Sequence, residues 1–347
     1  MRRDAFARAI RGSNTIEGYN VTIDDAVAVA EDEEPLDADE ETRAAIIGYR
    51  DALTYILQLE NDPHFEYSAA LIRSLHYMMI KYDLSKRPGQ WRPGPIRVVD
   101  ERKKQVVYTG PDADKLPSLM RELISSLNEK DASPAMIRAA MAHLNLTMIH
   151  PFSDGNGRMA RALQTLVLAR EGILSPTFCS IEEYLGRHQD DYYNVLAEVG
   201  KGSWHPECDA RPWIRFCLLA HYRGATNLLR RTRELQILWD EIELQRKKLG
   251  LPERVEVALV TAAFGRRVYN SLYRKMSEIS DQVASRDLKK LTDLGLLVPH
   301  GEKRGRLYMG SKKLLAARQR LKEIRIEDDP FAMDKPKQPS LPGLSAE

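Results

Sequence analysis

The sequence predicts a mainly α protein: a helical bundle carrying one β-hairpin flap, followed by a winged helix-turn-helix domain. Three observations predict it. Apolar residues recur at helical spacing through most of residues 42–249. Two short runs, Ile96-Arg97-Val98-Val99 and Gln105-Val106-Val107-Tyr108-Thr109, interrupt that pattern and flank the charged turn Asp100-Glu101-Arg102-Lys103-Lys104. After Gly250-Leu251-Pro252, two helical stretches precede two short strand-like runs.

Taken in order, Arg11 to Asn20 reads as a short helix ending near Gly18, and the acidic run from Glu31 to Glu41 reads as a solvated loop. Thr42–Leu59 is helical through Ile46, Ile47, Leu53, Ile56 and Leu57. Asp62-Pro63 breaks the chain before a second helix, Ser68–Ile80, with Leu71, Ile72, Leu75 and Met79. Helices resume after the hairpin at Leu116–Asn128 and Pro134–Ile149, then at Arg158–Glu171, which Gly172 ends. Glu182–Val199 and Pro212–Leu249 complete the body, the latter expected to break once. Ser271–Ile279 and Val283–Leu294 are the two helices of the C-terminal module. Gly295–Pro299 and Arg306–Met309 form its hairpin around His300–Gly305.

Composition narrows the class. With 43% apolar and 29% charged residues the chain reads as soluble and globular. No run of about 18 apolar residues is present, so no membrane span is expected. Cys179, Cys208 and Cys217 are too far apart for a Cys-x-x-Cys zinc pattern, and together with an N-terminus lacking a long apolar run they suit a cytoplasmic setting. Residues 251–325 carry 17 Lys/Arg against 8 Asp/Glu, whereas residues 1–250 carry 33 against 37. A basic module on a mildly acidic body points to a partner for that module.

The chemistry concentrates between two predicted helices, in His150-Pro151-Phe152-Ser153-Asp154-Gly155-Asn156-Gly157-Arg158-Met159-Ala160-Arg161. Gly155 and Gly157 allow backbone N–H groups close to a ligand at a helix N-terminus, where the dipole favours an anion. Asp154 offers a hard oxygen to Mg²⁺, which binds few carboxylates and shares substrate phosphates. Arg158 and Arg161 can fork onto phosphate oxygens. His150 can exchange a proton near neutral pH. Gly155-x-Gly157-x-x-Ala160 also fits a loose dinucleotide fingerprint, but that motif follows a strand, and Pro134–Ile149 is helical.

This loop resembles the signature loop of Fic-domain proteins, H-x-F-x-[D/E]-G-N-G-R-x-x-R, at every specified position, and the surrounding pattern extends the likeness over roughly residues 1–225. The resemblance implies AMP transfer from ATP to a Tyr, Thr or Ser hydroxyl of a target protein or of the chain itself. It implies His150 as base and Asp154 as the Mg²⁺ ligand. The amides of Gly155, Asn156 and Gly157 would form an anion hole, with the Asn156 side chain helping to place phosphate. Arg158 would contact phosphate and Arg161 would hold the γ-phosphate. Phe152 is expected to anchor the loop in the core.

Ser13-Asn14-Thr15-Ile16-Glu17-Gly18 meets the family's inhibitory pattern, [S/T]-x-x-x-E-[G/N]. The resemblance implies that Ser13 and Glu17 belong to a helix in which Glu17 pairs with Arg161 and keeps ATP unproductive. The hairpin resembles the family's flap, which would align the target through Val107, Tyr108 and Thr109. Tyr193, after Tyr192, matches a tyrosine used against adenine, while Gly200 stands where some relatives have Asn. The expected domains are an inhibitory region 1–30, a catalytic domain 31–225, a connecting helix 226–250, a winged helix 251–325 and a disordered tail 326–347.

In the winged helix Ser285, Arg286, Lys289 and Lys290 fall on the recognition helix, with Lys303, Arg304 and Arg306 in the wing. That surface could meet DNA through 251–325, or another protein, or a second copy in a homodimer. Two rival functions stand beside AMP transfer. One is removal of AMP by the same loop; the other is a DNA-binding regulator whose bundle senses nucleotide.

Overall fold

The computed structural model describes residues 2–35, 37–100, 104–129, 132–173, 181–301 and 306–319. They fall into two compact units, Met1–Leu228 and Leu229–Glu347. The first is a helical bundle. Its helices are α1 (Arg2–Ile16), α2 (Ile23–Ala30), α3 (Glu40–Leu59), α4 (Ala69–Ile80), α5 (Leu116–Asn128), α6 (Ala135–Ile149), α7 (Asn156–Arg170), α8 (Glu182–Arg187) and α9 (Gln189–Gly200). A tenth helix, α10 (Arg211–Lys248), starts in this unit and runs through the division between the two.

Local sequence explains most helix ends. The side chains of Asp39 and Ser68 accept from the amides of Thr42 (2.7 Å) and Leu71 (3.1 Å), capping α3 and α4. Thr22 and Asp25 form a capping box for α2, a helix too short to show a periodic signal. Helix α1 begins well before Arg11, because Phe6, Ala7, Ala9 and Ile10 give it a buried face. The stretch 182–199 is two helices rather than one, since His188 leaves helical geometry at φ −127° and ψ 47°. Conversely, the expected break in 212–249 is missing: α10 is continuous. Its internal Gly224 costs a helix only about 1 kcal/mol.

Helix α7 is the centre of the bundle. Apart from Gly157, every residue from Asn156 to Ala169 is buried, packed by α6, α3, α4 and α1. The hairpin, β1 (Arg97–Asp100) and β2 (Gln105–Thr109), pairs antiparallel with an irregularity at Val98/Val99; Glu101, Arg102 and Lys103 lie outside the described residues. No helix among the described residues is long and apolar enough to cross a membrane.

The second unit contains α11 (Val255–Ala263), β3 (Val268–Tyr269), α12 (Asn270–Ser277), α13 (Asp281–Asp293), β4 (Leu297–His300), β5 (Leu307–Gly310) and α14 (Lys312–Gln319). Its antiparallel sheet has the order β3-β5-β4, and Leu259, Leu288, Leu291 and Leu297 fill its core with Leu238 and Ile242. Helix, strand, two helices and hairpin follow one another as in a winged helix-turn-helix. Lys303 and Arg304 of the expected wing, Cys179 and the tail 326–347 lie outside the described residues.

Three histidines are buried in the first unit, and burial holds each neutral: His76 is pushed down to about 4, His143 to about 3 and His221 to about 4. His143 donates from Nδ1 to Gln164 (2.6 Å) and its Nε2 accepts from the Tyr192 hydroxyl (3.1 Å), while Gln164 donates to His221 (3.1 Å). An unfolded histidine titrates near about 6.5. The folded values lie below that, so on acidification the unfolded chain takes up protons first. Stability is therefore expected to fall from pH 6.5 downward, by up to about 1.4 kcal/mol per pH unit for each ring. The urea midpoint should drop between pH 7 and pH 5, and less steeply in His143→Gln; a midpoint unchanged over that range contradicts this.

Candidate active site

The loop 150–155 joins α6 to α7, and its shape follows from its sequence. His150 ends α6 in the left-handed region (φ 51°), and Gly155 starts α7 there as well (φ 75°). The positive φ at Gly155 favours glycine, and a Cβ there would also push on Ile80 Cδ1 at 2.8 Å. Phe152 is fully buried and anchors the loop, stacked on His76 at 3.6 Å with Trp91 beside it. Asn156 closes the loop on itself: Phe152 N–H donates to its Oδ1 and its Nδ2 donates to Phe152 O, both 2.9 Å. Its side chain, expected to help place phosphate, is thus occupied in holding the loop.

Two further side chains fix the loop from outside. His76 accepts the Gly89 N–H at Nδ1 (2.9 Å), so Nε2 carries the proton and donates to the Asp154 carbonyl (2.9 Å). Arg92, 4% exposed, donates to the carbonyls of His150 (2.8 Å), Gly94 (2.6 Å) and Pro111. Neither residue sits in a recognisable motif. Only the Gly and Pro around Arg92 hint that this stretch has a structural task.

His150 lies 3.1 Å through Nδ1 from the Thr147 carbonyl. A carbonyl only accepts, so Nδ1 carries the proton and Nε2 keeps its lone pair. Burial lowers the His150 pKa; the Thr147 carbonyl opposes this, and Arg92 adds to it. The imidazole is therefore neutral at pH 7. Burial works against ionisation of Asp154, but Arg158, Lys86 and the Gly155 amide outweigh it and hold its carboxyl below the ordinary value. Asp154 Oδ2 is 3.2 Å from Lys86 Nζ and 3.9 Å from Arg158 Nη2, and Oδ1 accepts from Gly155 N–H at 2.6 Å.

The two loop arginines are buried, and both meet the N-terminal segment. Arg161, 0% exposed, donates from Nε to Ser13 Oγ (2.8 Å) and from Nη2 to Ser13 O (3.1 Å) and Glu17 Oε1 (2.5 Å). Arg158, 1% exposed, lies 5.5 Å over the Tyr19 ring and donates to the Tyr82 hydroxyl, which is 2.7 Å from that of Tyr19. The Arg161 guanidinium also bonds the Tyr192 side chain, while Arg158 Nε has no partner among the described residues. No side chain caps α7. Instead, a Cβ at Gly157 would stand 2.5 Å from Glu17 Oε1, so the Glu17 carboxylate rests against the first turn of α7.

Helix α1 is seated by close packing. A Cβ at Gly12 would fall 2.2 Å from the Glu182 carbonyl, and one at Gly186 would fall 2.8 Å from Gly12 Cα. Two carbonyls at its C-terminal end accept side chains from α9, Thr15 from Gln189 and Ile16 from Tyr193, both 3.1 Å. Tyr193, half exposed, is therefore tied to the C-terminal end of α1. A Cβ at Gly200 would lie 3.1 Å from Met148 Sδ, so a larger residue there requires the Met148 side chain to shift.

The hairpin residues separate. Tyr108 turns inward and donates to the Met148 carbonyl (2.6 Å). Thr109 pairs its backbone with Gly202 and Trp204. Val107, with Val106 and Val99, stays exposed. Of the three expected target contacts, Val107 is exposed, Thr109 half-buried and Tyr108 buried.

Comparison with known proteins follows the same loop. Residues 66–168 match the Fic/DOC family. The chain is 27% identical over 254 residues to the protein adenylyltransferase Fic of Nematostella vectensis, covering 69% of this chain and 55% of that protein. It is 30% identical over 222 residues to that of Aedes aegypti, covering 62% and 40%. It thus spans about half the length of these relatives. A crystal structure of a Fic family protein from Desulfovibrio desulfuricans G20 superposes with a TM-score of 0.55 at 22% identity, covering 90% of this chain and 87% of that one. A Fic domain containing signaling protein from Bacteroides thetaiotaomicron VPI-5482 gives 0.55 at 21% identity, covering 65% and 86%. Across residues 66–168, this chain carries a domain of the Fic/DOC family.

Proposed function

We propose that this chain transfers AMP from ATP to a hydroxyl side chain of a target protein, and that its own N-terminal helix restrains the reaction. The observation that carries the reading is a pair of buried guanidinium groups, Arg158 and Arg161, converging beside an uncapped helix N-terminus. Two forked cations at a helix N-terminus suit an anion with several oxygens. The relatives named as protein adenylyltransferases agree with a nucleotide polyphosphate as that anion.

In the proposed reaction the target hydroxyl oxygen bonds to the α-phosphorus of ATP, the bond from that phosphorus to the pyrophosphate oxygen breaks, and His150 Nε2 takes the hydroxyl proton. The Asn156 and Gly157 amides, Arg158 and Arg161 stabilise the phosphate charge by position rather than by covalent chemistry. The Gly155 amide is held by Asp154 and contributes through the turn it makes. Tyr193 would contact adenine, and the exposed edge of the flap at Val107 would meet the target.

Among the described residues no group of three His, Cys, Asp or Glu could hold a metal ion. An ionised Asp154 alone fits Mg²⁺, which accepts one carboxylate when phosphate oxygens supply further ligands. When bound, Mg²⁺ neutralises phosphate charge. Lys86 would have to yield the Asp154 oxygen it now holds.

Restraint comes from Glu17 and Ser13. They fill three donors of Arg161, and Glu17 places a carboxylate where a terminal phosphate would compete. Labelled AMP incorporation from ATP should therefore rise about tenfold or more in Glu17→Gly, a change of about 1.4 kcal/mol in barrier. His150→Ala in that background should lose about 10²- to 10⁴-fold. Equal labelling by wild type and Glu17→Gly would exclude the restraint, and undiminished labelling without His150 would exclude the base.

The pH profile provides a separate check. A base must be unprotonated, and the His150 pKa is lowered from 6.5 by burial. For Glu17→Gly, kcat/KM should be flat near pH 7 and fall only on the acid side, with a midpoint below 6.5. A midpoint above 7 is incompatible with His150 in this role.

A further inference from the structure

We propose that the C-terminal unit binds duplex DNA, with α13 entering the major groove and Arg286, Lys289 and Lys290 meeting phosphates. The helix presents one exposed stripe: Asp281, Gln282, Ser285, Arg286, Lys289, Lys290 and Asp293. Its opposite face, Ala284, Leu288 and Leu291, is fully buried in the core of this unit. The outward stripe holds no apolar residue.

That composition selects the occupant. The centre of a protein-binding surface is depleted in charge and built on apolar anchors. Here the centre holds three cations with no acidic partner among the described residues. The acids lie at the two ends, and Asp281 is 3.8 Å from Arg274. The inward acid, Asp287, is spent on structure: it accepts from Arg254 (2.6 and 3.1 Å) and from the Tyr273 hydroxyl (3.1 Å). A 13-residue helix is about 20 Å long, and the major groove admits a helix of that width and length.

The surroundings extend the same surface. Ser285, Lys289 and Thr292 share a groove with Asn270, Arg274, Arg306 and Asp281, so cations from α12, α13 and the residue before β5 line one concavity with a single acid beside Arg274. Asn270 Nδ2 donates to Ser285 Oγ at 2.9 Å and holds the start of α12 against α13. Gln282 and Ser285 supply neutral donors and acceptors suited to base edges, whereas the cations suit the backbone.

The test is fluorescence anisotropy of a labelled random-sequence duplex of about 20 base pairs with the full chain, from about 50 to about 200 mM KCl. Wild type should bind at the low end and weaken steeply as salt rises. The triple variant Arg286→Ala/Lys289→Ala/Lys290→Ala should lose about tenfold or more in affinity. Its slope of log K against log salt should shrink by about 2 to 3, as loss of three phosphate contacts requires. A control losing equal charge from the first unit, Lys81→Ala/Lys115→Ala/Arg121→Ala, should bind as wild type does, and circular dichroism should give all three chains the same melting temperature. Failure of wild type to bind at about 50 mM KCl overturns the proposal and leaves a protein partner for this face. An unchanged slope in the triple variant, or an equal loss in the control, overturns it too.

Discussion

Arg161 carries a permanent charge on a side chain with no exposed surface, in the middle of the most buried helix of the bundle. Such a group needs an anion and several acceptors, because an unpaired buried charge costs several kcal/mol. Here Glu17 and Ser13 provide them from a helix more than a hundred residues away in sequence. Much of the bundle's arrangement serves that contact. Glycines at 12 and 186 let α1 and α8 approach at backbone distance, and Gln189 and Tyr193 tie down the end of α1.

The same segment reaches the second loop arginine. Two residues after Glu17, Tyr19 places its ring under Arg158 and its hydroxyl against Tyr82. One N-terminal stretch thus engages both guanidinium groups by different physics, a buried ion pair at Arg161 and a cation–π contact at Arg158. In the proposed function these are the groups that ATP phosphates need. A ligand would replace the carboxylate with phosphate oxygens rather than create a charge site from nothing.

How much of this is legible in sequence differs from element to element. The loop 150–161 is legible because its chemistry is local: glycines, acid, histidine and arginines within one turn and one helix start. The helix start at Ser68 and the outline of the second unit follow from a cap and periodicity, whereas α3 starts at Glu40, inside an acidic run that reads as loop. Helix α2 escapes because eight residues hold too few repeats of a helical pattern. The roles of His76 and Arg92 escape for another reason. Each acts on backbone carbonyls tens of residues away, and no local pattern encodes such a contact. The inward turn of Tyr108 is not legible either, since Gln105, Val106 and Val107 before it are all exposed and the strand shows no simple alternation.

The central claim is that Glu17 and the terminal phosphate of ATP compete for Arg161. Calorimetric titration of ATP and ADP into wild type and Glu17→Gly tests it without depending on any target protein. Wild type should bind the two nucleotides with similar affinity, because the arm that reads the third phosphate is occupied. Glu17→Gly should prefer ATP over ADP by about tenfold or more, since a charge-assisted contact is worth about 1.5–3 kcal/mol. The same ATP-to-ADP ratio in both chains would contradict the account.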